Sequence, residues 1–174
     1  MVLKAPLYGW HSCAVSPATS CVIGEHTADG KQLIFTSFDP VKGRGRELTR
    51  LDIDPTVDYN HVLSPDGTRI AVIKRSEGRI HILSLIGQAP RQINVKNWGN
   101  LENVDWTADG KALLASSPTQ RGHALLRVDF QGNAQLLWEQ QQDLETYAVP
   151  SPDGRHLAIM GWSLNSNIWS MEDF

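Results

Sequence analysis

The chain has 174 residues, of which 41% are hydrophobic and 20% charged, and this composition suits one globular domain or segment spanning residues 1–174. Sixteen Lys and Arg against nineteen Asp and Glu give a formal net charge of −3, which gives no reason to expect a nucleic-acid partner or an anionic membrane surface. No run of about 18 apolar residues is present, so we expect no membrane-spanning segment, and the first ten residues lack the apolar centre of a signal peptide.

A short turn motif recurs along the chain at a nearly constant interval. Its copies are one Ser-Pro-Ala-Thr and three segments that end in Asp-Gly, at 16–19, 64–67, 107–110 and 151–154. The intervals between their first residues are 48, 43 and 44 residues. A period in the forties is too long for one hairpin but suits four short strands with their turns, which is one blade of a β-propeller.

Short β-prone runs follow these turns in the same order in each unit, and no segment has the sustained 3.6-residue periodicity of a helix. We therefore predict an all-β fold, a propeller of about four four-stranded blades. The runs predicted as strands, in chain order, are Tyr8–Val15, Cys21–Glu25, Leu33–Phe38, Asn60–Leu63, Arg69–Lys74, Arg79–Leu85, Arg91–Val95, Asn103–Trp106, Ala112–Ser116, Ala124–Phe130, Ala134–Trp138, Tyr147–Val149, His156–Met160 and Asn167–Met171.

The limits of the first unit are ambiguous, because a second motif, Thr-Ala-Asp-Gly-Lys at 27–31, lies within it. We anchor the unit on Ser16, since that spacing is closer to the others. In the Asp-Gly turns Pro presets φ, Asp accepts local hydrogen bonds and Gly takes the positive φ, so these turns fix the register of each hairpin.

The last unit is short, because the chain ends after its third strand, and residues 1–4 are a candidate for the missing fourth strand. Two arrangements follow. In the first, the N-terminal strand pairs with the last blade and closes a small four-bladed ring. In the second, the chain is the C-terminal part of a larger propeller. We favour the second, in which open sheet edges invite pairing with another copy.

The repeat Ser-Pro-Asp-Gly-x-x-Leu/Ile-Ala, at 64–71 and 151–158, resembles the WD40-like repeats of TolB-type bacterial propellers, and 107–113 is a looser copy. This resemblance covers nearly the whole chain. It implies the fold and says little about function.

Three other segments, 13–21, 38–45 and 168–174, are similar to the last blades of propellers attached to bacterial Ser/Thr kinases and winged-helix regulators. In such proteins the propeller is expected to be a sensor or docking module on the outer side of the membrane. The resemblance therefore implies an extracytoplasmic part of a bacterial signalling protein. No Gly-rich phosphate loop or His-Arg-Asp catalytic loop of a kinase is present in this sequence.

The function we expect is a non-enzymatic protein-interaction or sensing module, with a protein or peptide partner and no cofactor. Two alternatives remain open: the non-catalytic gating propeller of a prolyl-oligopeptidase-type peptidase, and a propeller that binds a small ligand or glycan. The segment Gly161–Asn165 lacks the final Gly of a nucleophile elbow and the strand-to-helix context that such an elbow needs.

Cys13 and Cys21 are the two cysteines, and they flank the first repeat turn on strands expected to be neighbours. We favour a disulfide between them, which would imply an oxidising compartment such as the periplasm. Two buried reduced thiols are the alternative, with which a cytoplasmic location stays open. A metal site is not expected from two cysteines without a second pair.

Five side chains are candidates for binding a partner. Arg75, Trp98, Arg121 and Trp162 fall in loops, and exposed aromatic and Arg side chains are frequent anchors of interfaces. His61 belongs to an inner strand, from which it would line the central channel. The alternative explanation is ordinary packing between blades for the four loop residues, and a turn or strand-edge position for His61. The loops expected to gather on one face are 75–78, 96–101, 118–122, 139–145 and 162–166.

Overall fold

The computed structural model describes residues 10–15, 20–141 and 145–162, and all regular secondary structure within these ranges is β-strand. Fourteen strands follow one another along them. Their bounds are β1 Trp10–Cys13, β2 Cys21–His26, β3 Gln32–Asp39, β4 Gly43–Asp52, β5 Tyr59–Leu63, β6 Arg69–Lys74, β7 Arg79–Ser84, β8 Arg91–Asn94, β9 Asn103–Trp106, β10 Leu113–Pro118, β11 Gly122–Val128, β12 Ala134–Gln141, β13 Glu145–Pro150 and β14 Leu157–Trp162.

The strands form four antiparallel sheets in which chain order and spatial order agree. Sheet 1 contains β1 to β4, sheet 2 β5 to β8, sheet 3 β9 to β12, and the described part of sheet 4 contains β13 and β14. The all-β fold of repeated antiparallel sheets is therefore confirmed. No helix long and apolar enough to cross a membrane occurs in the described ranges.

The Asp-Gly turns form as their residues predict. Ser64 Oγ donates to Asp66 Oδ1 at 2.5 Å, and the same carboxylate oxygen accepts the backbone N–H of Thr68 at 3.0 Å. Gly67 has a φ of +71°, a conformation that costs an L residue with a side chain about 1–2 kcal/mol. These local bonds hold β5 and β6 in register.

Every predicted strand that falls within the described residues is a strand in the structure, with its ends shifted by a few residues. Residues 1–4, 16–19 and 167–171 lie outside the described residues. Strand β4, at Gly43–Asp52, was missed by the prediction, because its Gly-Arg-Gly-Arg start is unlike a half-buried strand. It is the outer strand of sheet 1, which explains a mostly exposed and charged sequence.

The predicted loop at 139–145 is wrong for most of its length. Strand β12 continues to Gln141, which pairs with Gly122, and β13 begins at Glu145. Backbone pairing with β11 overrides the polar sequence here, because an outer strand has no need of apolar side chains.

The sheets pack face to face in chain order. Sheets 1 and 2 enclose a core around Phe35 and Ile70, and sheets 2 and 3 enclose a larger one around Ile73, Trp106 and Leu126. Strand β13 of sheet 4 then packs against β9, β10 and β11 of sheet 3. The first strand of each sheet is innermost, and these four strands surround one cavity.

Candidate functional site

The axial cleft is the cavity that the inner strands β1, β5, β9 and β13 surround, and it extends between sheets 3 and 4. Its volume is about 510 Å³, within the range of about 300–1,000 Å³ usual for small-molecule sites. A smaller cavity of about 200 Å³ adjoins it and shares Val62, Asp105 and Val149 in its lining. The repeat therefore brings one strand from each blade to a common concave site.

A polar chain of hydrogen bonds crosses the cleft from sheet 2 to sheet 4. Asn60 Nδ2 donates to Asn103 Oδ1 at 2.8 Å, and Asn103 Nδ2 donates to Glu145 Oε1 at 3.1 Å. Arg75 donates to the same carboxylate oxygen at 3.2 Å. Asn60 and Asn103 each stand four residues before the repeated Ser or Thr, so the repeat itself places these amides side by side.

Asp105 is a carboxylate of the inner strand β9. It lines both cavities, and its Oδ1 accepts the backbone N–H of Trp106 at 2.7 Å. Burial raises the pKa of this carboxyl from 3.8 to about 6, while the bond from Trp106 acts in the opposite direction. An acid with such a pKa titrates near the lower end of the physiological pH range.

His61 lines the cleft from β5, the inner strand of sheet 2. Burial lowers the pKa of its imidazole from 6.5 to about 4, although a hydrogen bond to the backbone of Trp10 acts the other way. Its ring meets the Phe35 ring edge-on at 5.0 Å between centroids, and it occupies the space that a Cβ on Gly24 would need. At neutral pH the imidazole is therefore an uncharged group wedged between sheets 1 and 2.

Two buried hydroxyl groups lie between sheets 3 and 4. Ser116 Oγ and Thr146 Oγ1 are shielded from solvent and have no hydrogen-bond partner among the described residues. Ser116 lines the cleft, and because it pairs with Asn103 its side chain points to the same side of sheet 3 as Asp105. Buried polar groups are usually hydrogen-bonded, so these two are unusual and add unused hydrogen-bonding capacity to the site.

Three aromatic side chains of the cleft are also exposed to solvent. Trp10, Tyr147 and Trp162 line the cleft, and 69%, 39% and 61% of their surfaces are accessible. Tyr147 and Trp162 lie on the face of sheet 4 that points away from sheet 3. Trp10, Tyr147 and Trp162 together are the exposed aromatic part of the cleft, which we call the aromatic entrance.

Three of the five predicted binding residues meet at this site. His61 and Trp162 line the cleft, and Arg75 reaches it through Glu145. Trp162 is the last residue of β14, so its predicted place in a loop is wrong. Pairing with Glu145 extends the strand to this residue.

Trp98 and Arg121 lie elsewhere. Trp98 is partly buried and packs on the core between sheets 2 and 3, beside a shallow groove that Gly78 also lines. Arg121 is exposed in the turn before β11, where its backbone N–H donates to Thr119 Oγ1 at 3.3 Å. Neither lines the axial cleft, and packing accounts for Trp98.

Sequence reasoning missed Asp105, Asn103, Ser116 and Glu145. A signal existed for the first of these, because Asp105 stands two residues before the repeated Thr, where neighbouring units have Val62 and Val149. A carboxylate at an apolar repeat position is costly to bury and is therefore a marker of function.

Cys13 and Cys21 are register partners on β1 and β2, with their Cα atoms 4.0 Å apart, and their sulfurs form a disulfide. The described residues contain no free cysteine. Across the same residues no group of three or more His, Cys, Asp or Glu side chains is placed to hold a metal ion.

Comparison with known proteins gives the fold class. No protein-family model matches the chain, and no curated protein matches it. Among solved structures it is similar to TolB from Acinetobacter baumannii, at 19% identity and a TM-score of 0.59 over 90% of this chain and 38% of that one. It is also similar to hydrazine synthase from Kuenenia stuttgartiensis, at 19% identity and a TM-score of 0.57 over 86% of this chain and 43% of that one.

A third similar structure is a candidate 6-phosphogluconolactonase from Bacteroides uniformis, at 18% identity and a TM-score of 0.53 over 86% of this chain and 46% of that one. The chain thus spans less than half the length of each of these structures. At this level of identity the likeness shows the fold alone. The chain has a β-propeller fold of the kind found in TolB.

Proposed function

We propose that this chain is a non-enzymatic binding module in which the axial cleft takes a segment of a protein or peptide partner. The observation that carries this proposal is the convergence of four inner strands on one cavity with a polar interior and exposed aromatic side chains. Rigid repeat scaffolds bind in such concave sites, and aromatic anchors supply most of the affinity of many interfaces.

The two serine hydroxyls of the cleft do not have the geometry of an activated nucleophile in the described part of the chain. Ser12 Oγ accepts the backbone N–H of Leu63 at 3.0 Å, and Ser116 Oγ has no hydrogen-bond partner in the described part of the chain. A nucleophilic serine needs a general base within hydrogen-bond reach. Neither hydroxyl is bonded to the imidazole of His61 or to a carboxylate of the cleft.

The disulfide between Cys13 and Cys21 supports a location outside the cytoplasm, because disulfides persist mainly in oxidising compartments. With the resemblance to propellers of membrane-bound signalling proteins, we propose a sensing or docking role on the outer side of a bacterial membrane.

The outer face of sheet 4 supports a role in association. Tyr147, Val149, Met160 and Trp162 lie on one side of the sheet and are exposed, whereas the corresponding faces of sheets 1 and 2 are each covered by the next sheet. We propose that a second copy of this chain associates through this face in competition with a peptide ligand, because both would cover Tyr147 and Trp162. Light scattering at several concentrations tests this: a dimer supports association between copies, and a monomer throughout contradicts it.

A peptide-display selection on the folded chain tests the binding role itself. Enriched peptides should bind the wild-type chain and lose at least ten-fold in affinity for a Tyr147→Ala, Trp162→Ala double variant, since both side chains line the cleft and are exposed. Arg121→Ala is the control, because it removes an exposed side chain away from the cleft.

Four outcomes, from this selection and from two further assays, count against the proposal. Enrichment of no peptide, or equal binding by the double variant, contradicts a peptide site in the cleft. Turnover of ester, lactone or peptide substrates that Asp105→Asn abolishes would contradict the non-enzymatic part. Selective binding to a glycan array, lost in the same double variant, would favour the glycan-binding alternative, for which stacking on Trp10 and Trp162 is the supporting feature.

A further inference from the structure

We infer that the axial cleft selects a cationic group, an alkylammonium or a guanidinium. This group binds the carboxylate of Asp105 and contacts the exposed aromatic side chains of Trp10, Tyr147 and Trp162. This inference rests on the proposed binding function and names the chemistry of the ligand. A lysine or arginine side chain of a peptide and a small free amine share this chemistry.

With its histidines neutral, the formal charge of the cleft lining is negative. The described lining contains two carboxylates, Asp105 and Glu145, two histidines, His11 and His61, and neither Lys nor Arg. Glu145 already has Arg75 as its partner at 3.2 Å. His61 adds no positive charge at neutral pH, because burial lowers the pKa of its imidazole to about 4. Asp105 is thus the carboxylate left to receive an external cation.

Asp105 has no charged partner to account for its position. Its carboxylate accepts the N–H of Trp106, and no ion pair to it forms among the described residues. The fold does not demand an acid there, since the neighbouring units have Val62 and Val149 at the same repeat position. A buried carboxylate without a counter-ion is costly, and binding a cation would offset that cost.

Ser116 provides a second and independent indication of a ligand. Its side chain is 1% exposed, it lines the cleft on the same face of sheet 3 as Asp105, and its Oγ has no partner among the described residues. A hydroxyl oxygen accepts hydrogen bonds, and an ammonium has three N–H groups to donate. Asp105 and Ser116 therefore offer complementary acceptors to one cationic head.

The aromatic entrance fits the same ligand. Cations within about 6 Å of an aromatic ring centroid are attracted to its face, and this attraction grows when solvent is excluded. The fold already uses such a pair internally, where the Arg69 guanidinium lies 4.6 Å from the centroid of the Trp106 ring. Trp10 and Trp162 have no such internal cation among the described residues, and their faces are open to one from outside.

Titration calorimetry on the full chain with matched probes tests this inference. The peptide probes are blocked Gly-Lys-Gly and Gly-Arg-Gly, with Gly-norleucine-Gly as the uncharged control of equal length. The small-molecule probes are n-butylamine and n-butanol. We expect the Lys and Arg peptides to bind at least ten-fold more tightly than the norleucine peptide. Binding of butylamine as well identifies the cationic group alone as sufficient, and binding of the peptides alone assigns the ligand to a protein.

Two variants and a control connect the binding to the site. Asp105→Asn keeps the shape of the side chain and should weaken the Lys peptide at least ten-fold, while Glu139→Gln, at an exposed carboxylate outside the cleft, should leave it unchanged. Trp162→Leu removes an exposed ring and should weaken the same peptide several-fold. Circular dichroism checks that each variant is folded.

The inference is overturned if the norleucine peptide binds as tightly as the Lys peptide, or if Asp105→Asn binds the Lys peptide unchanged. In the first case the cleft is still a peptide site and the proposed function stands without its selectivity for cations. Failure of every probe to bind also overturns the inference, and the peptide-display selection then decides separately whether the cleft binds anything.

Discussion

Sheet 3 packs on sheet 2 with one face and on sheet 4 with the other, and the two interfaces differ in polarity. The first is a continuous apolar core in which Trp106 is 1% exposed and its indole N–H donates to the Val62 carbonyl at 3.2 Å. The second mixes the buried Leu114 and Leu125 with polar side chains. Those polar side chains are Asn103, Asp105, Ser116 and Thr146.

This difference separates the apolar core from the proposed binding site within one repeat. Burying apolar surface is the main favourable contribution to folding, whereas each buried polar group without a partner costs about 1–3 kcal/mol. Sheet 3 therefore stabilises the fold mainly through its face toward sheet 2, whereas its face toward sheet 4 carries the polar side chains of the proposed binding site. We therefore predict different effects for substitutions on the two faces of sheet 3.

The largest effect is expected at the core between sheets 2 and 3. Trp106→Ala should lower the free energy of unfolding by about 3–5 kcal/mol, because it removes a fully buried ring and leaves a cavity. Trp162→Ala is the matched control, since this side chain is 61% exposed on sheet 4, and should change that free energy by less than about 1 kcal/mol. Urea unfolding followed by circular dichroism measures both, and equal losses would refute the proposed difference between the two faces.

The second prediction concerns pH. The pKa of Asp105 rises from 3.8 to about 6 on folding, so the folded chain favours the neutral acid. The stability this acid contributes is fully present below about pH 4 and is lost as the pH rises through 6. The total loss is at most about 3 kcal/mol. Asp105→Asn should therefore be more stable than wild type at pH 7.5 and nearly equal to it at pH 4.

His61 produces the opposite slope over nearly the same range. The pKa of its imidazole falls from 6.5 to about 4 on folding, so its contribution is present above pH 6.5 and is lost as the pH falls toward 4. The two effects oppose each other in the wild-type chain and should separate in variants. Between pH 4.5 and 7, Asp105→Asn should lose stability on acidification and His61→Gln should gain it. Parallel curves for the two variants would show that neither group is buried as described.

The disulfide should contribute less and act on neither interface, because it lies within sheet 1. Its cysteines are eight residues apart in sequence, and closing so short a loop stabilises by at most about 2.5 kcal/mol. Reduction should lower the urea midpoint of the wild type and leave a Cys13→Ser, Cys21→Ser variant unaffected. The stability difference between Trp106→Ala and Trp162→Ala should stay the same. Two titratable thiols in denatured protein from an oxidising host would contradict the disulfide itself.

The sequence predicted the repeat architecture well, because turn chemistry and β-prone runs are local. The Asp66-Gly67 turn forms the hydrogen bonds that its residues predict, and β6 has the bounds expected of it. The site was harder to predict, because it depends on which strands meet. Glu145 was placed in a loop, although it begins β13 and joins Asn103 across two sheets. Such pairing across sheets leaves no local trace in composition.

The smallest expected contrast tests how closely sheets 2 and 3 approach at their rim. Gly132 follows β11 with a φ of +80°, and a Cβ added there would lie 2.0 Å from the Asn94 carbonyl oxygen of sheet 2. Gly87 has a φ of +83° but no atom within 4 Å of such a Cβ, so it carries the backbone cost without the clash. Gly87→Ala should cost about 1–2 kcal/mol and Gly132→Ala about 1–2 kcal/mol more, because the backbone of β8 must move. Urea unfolding measures both variants. Equal losses of stability would mean that β8 moves freely enough to accept the added methyl group. The core around Trp106 alone would then hold sheet 3, and with it Asp105, in place.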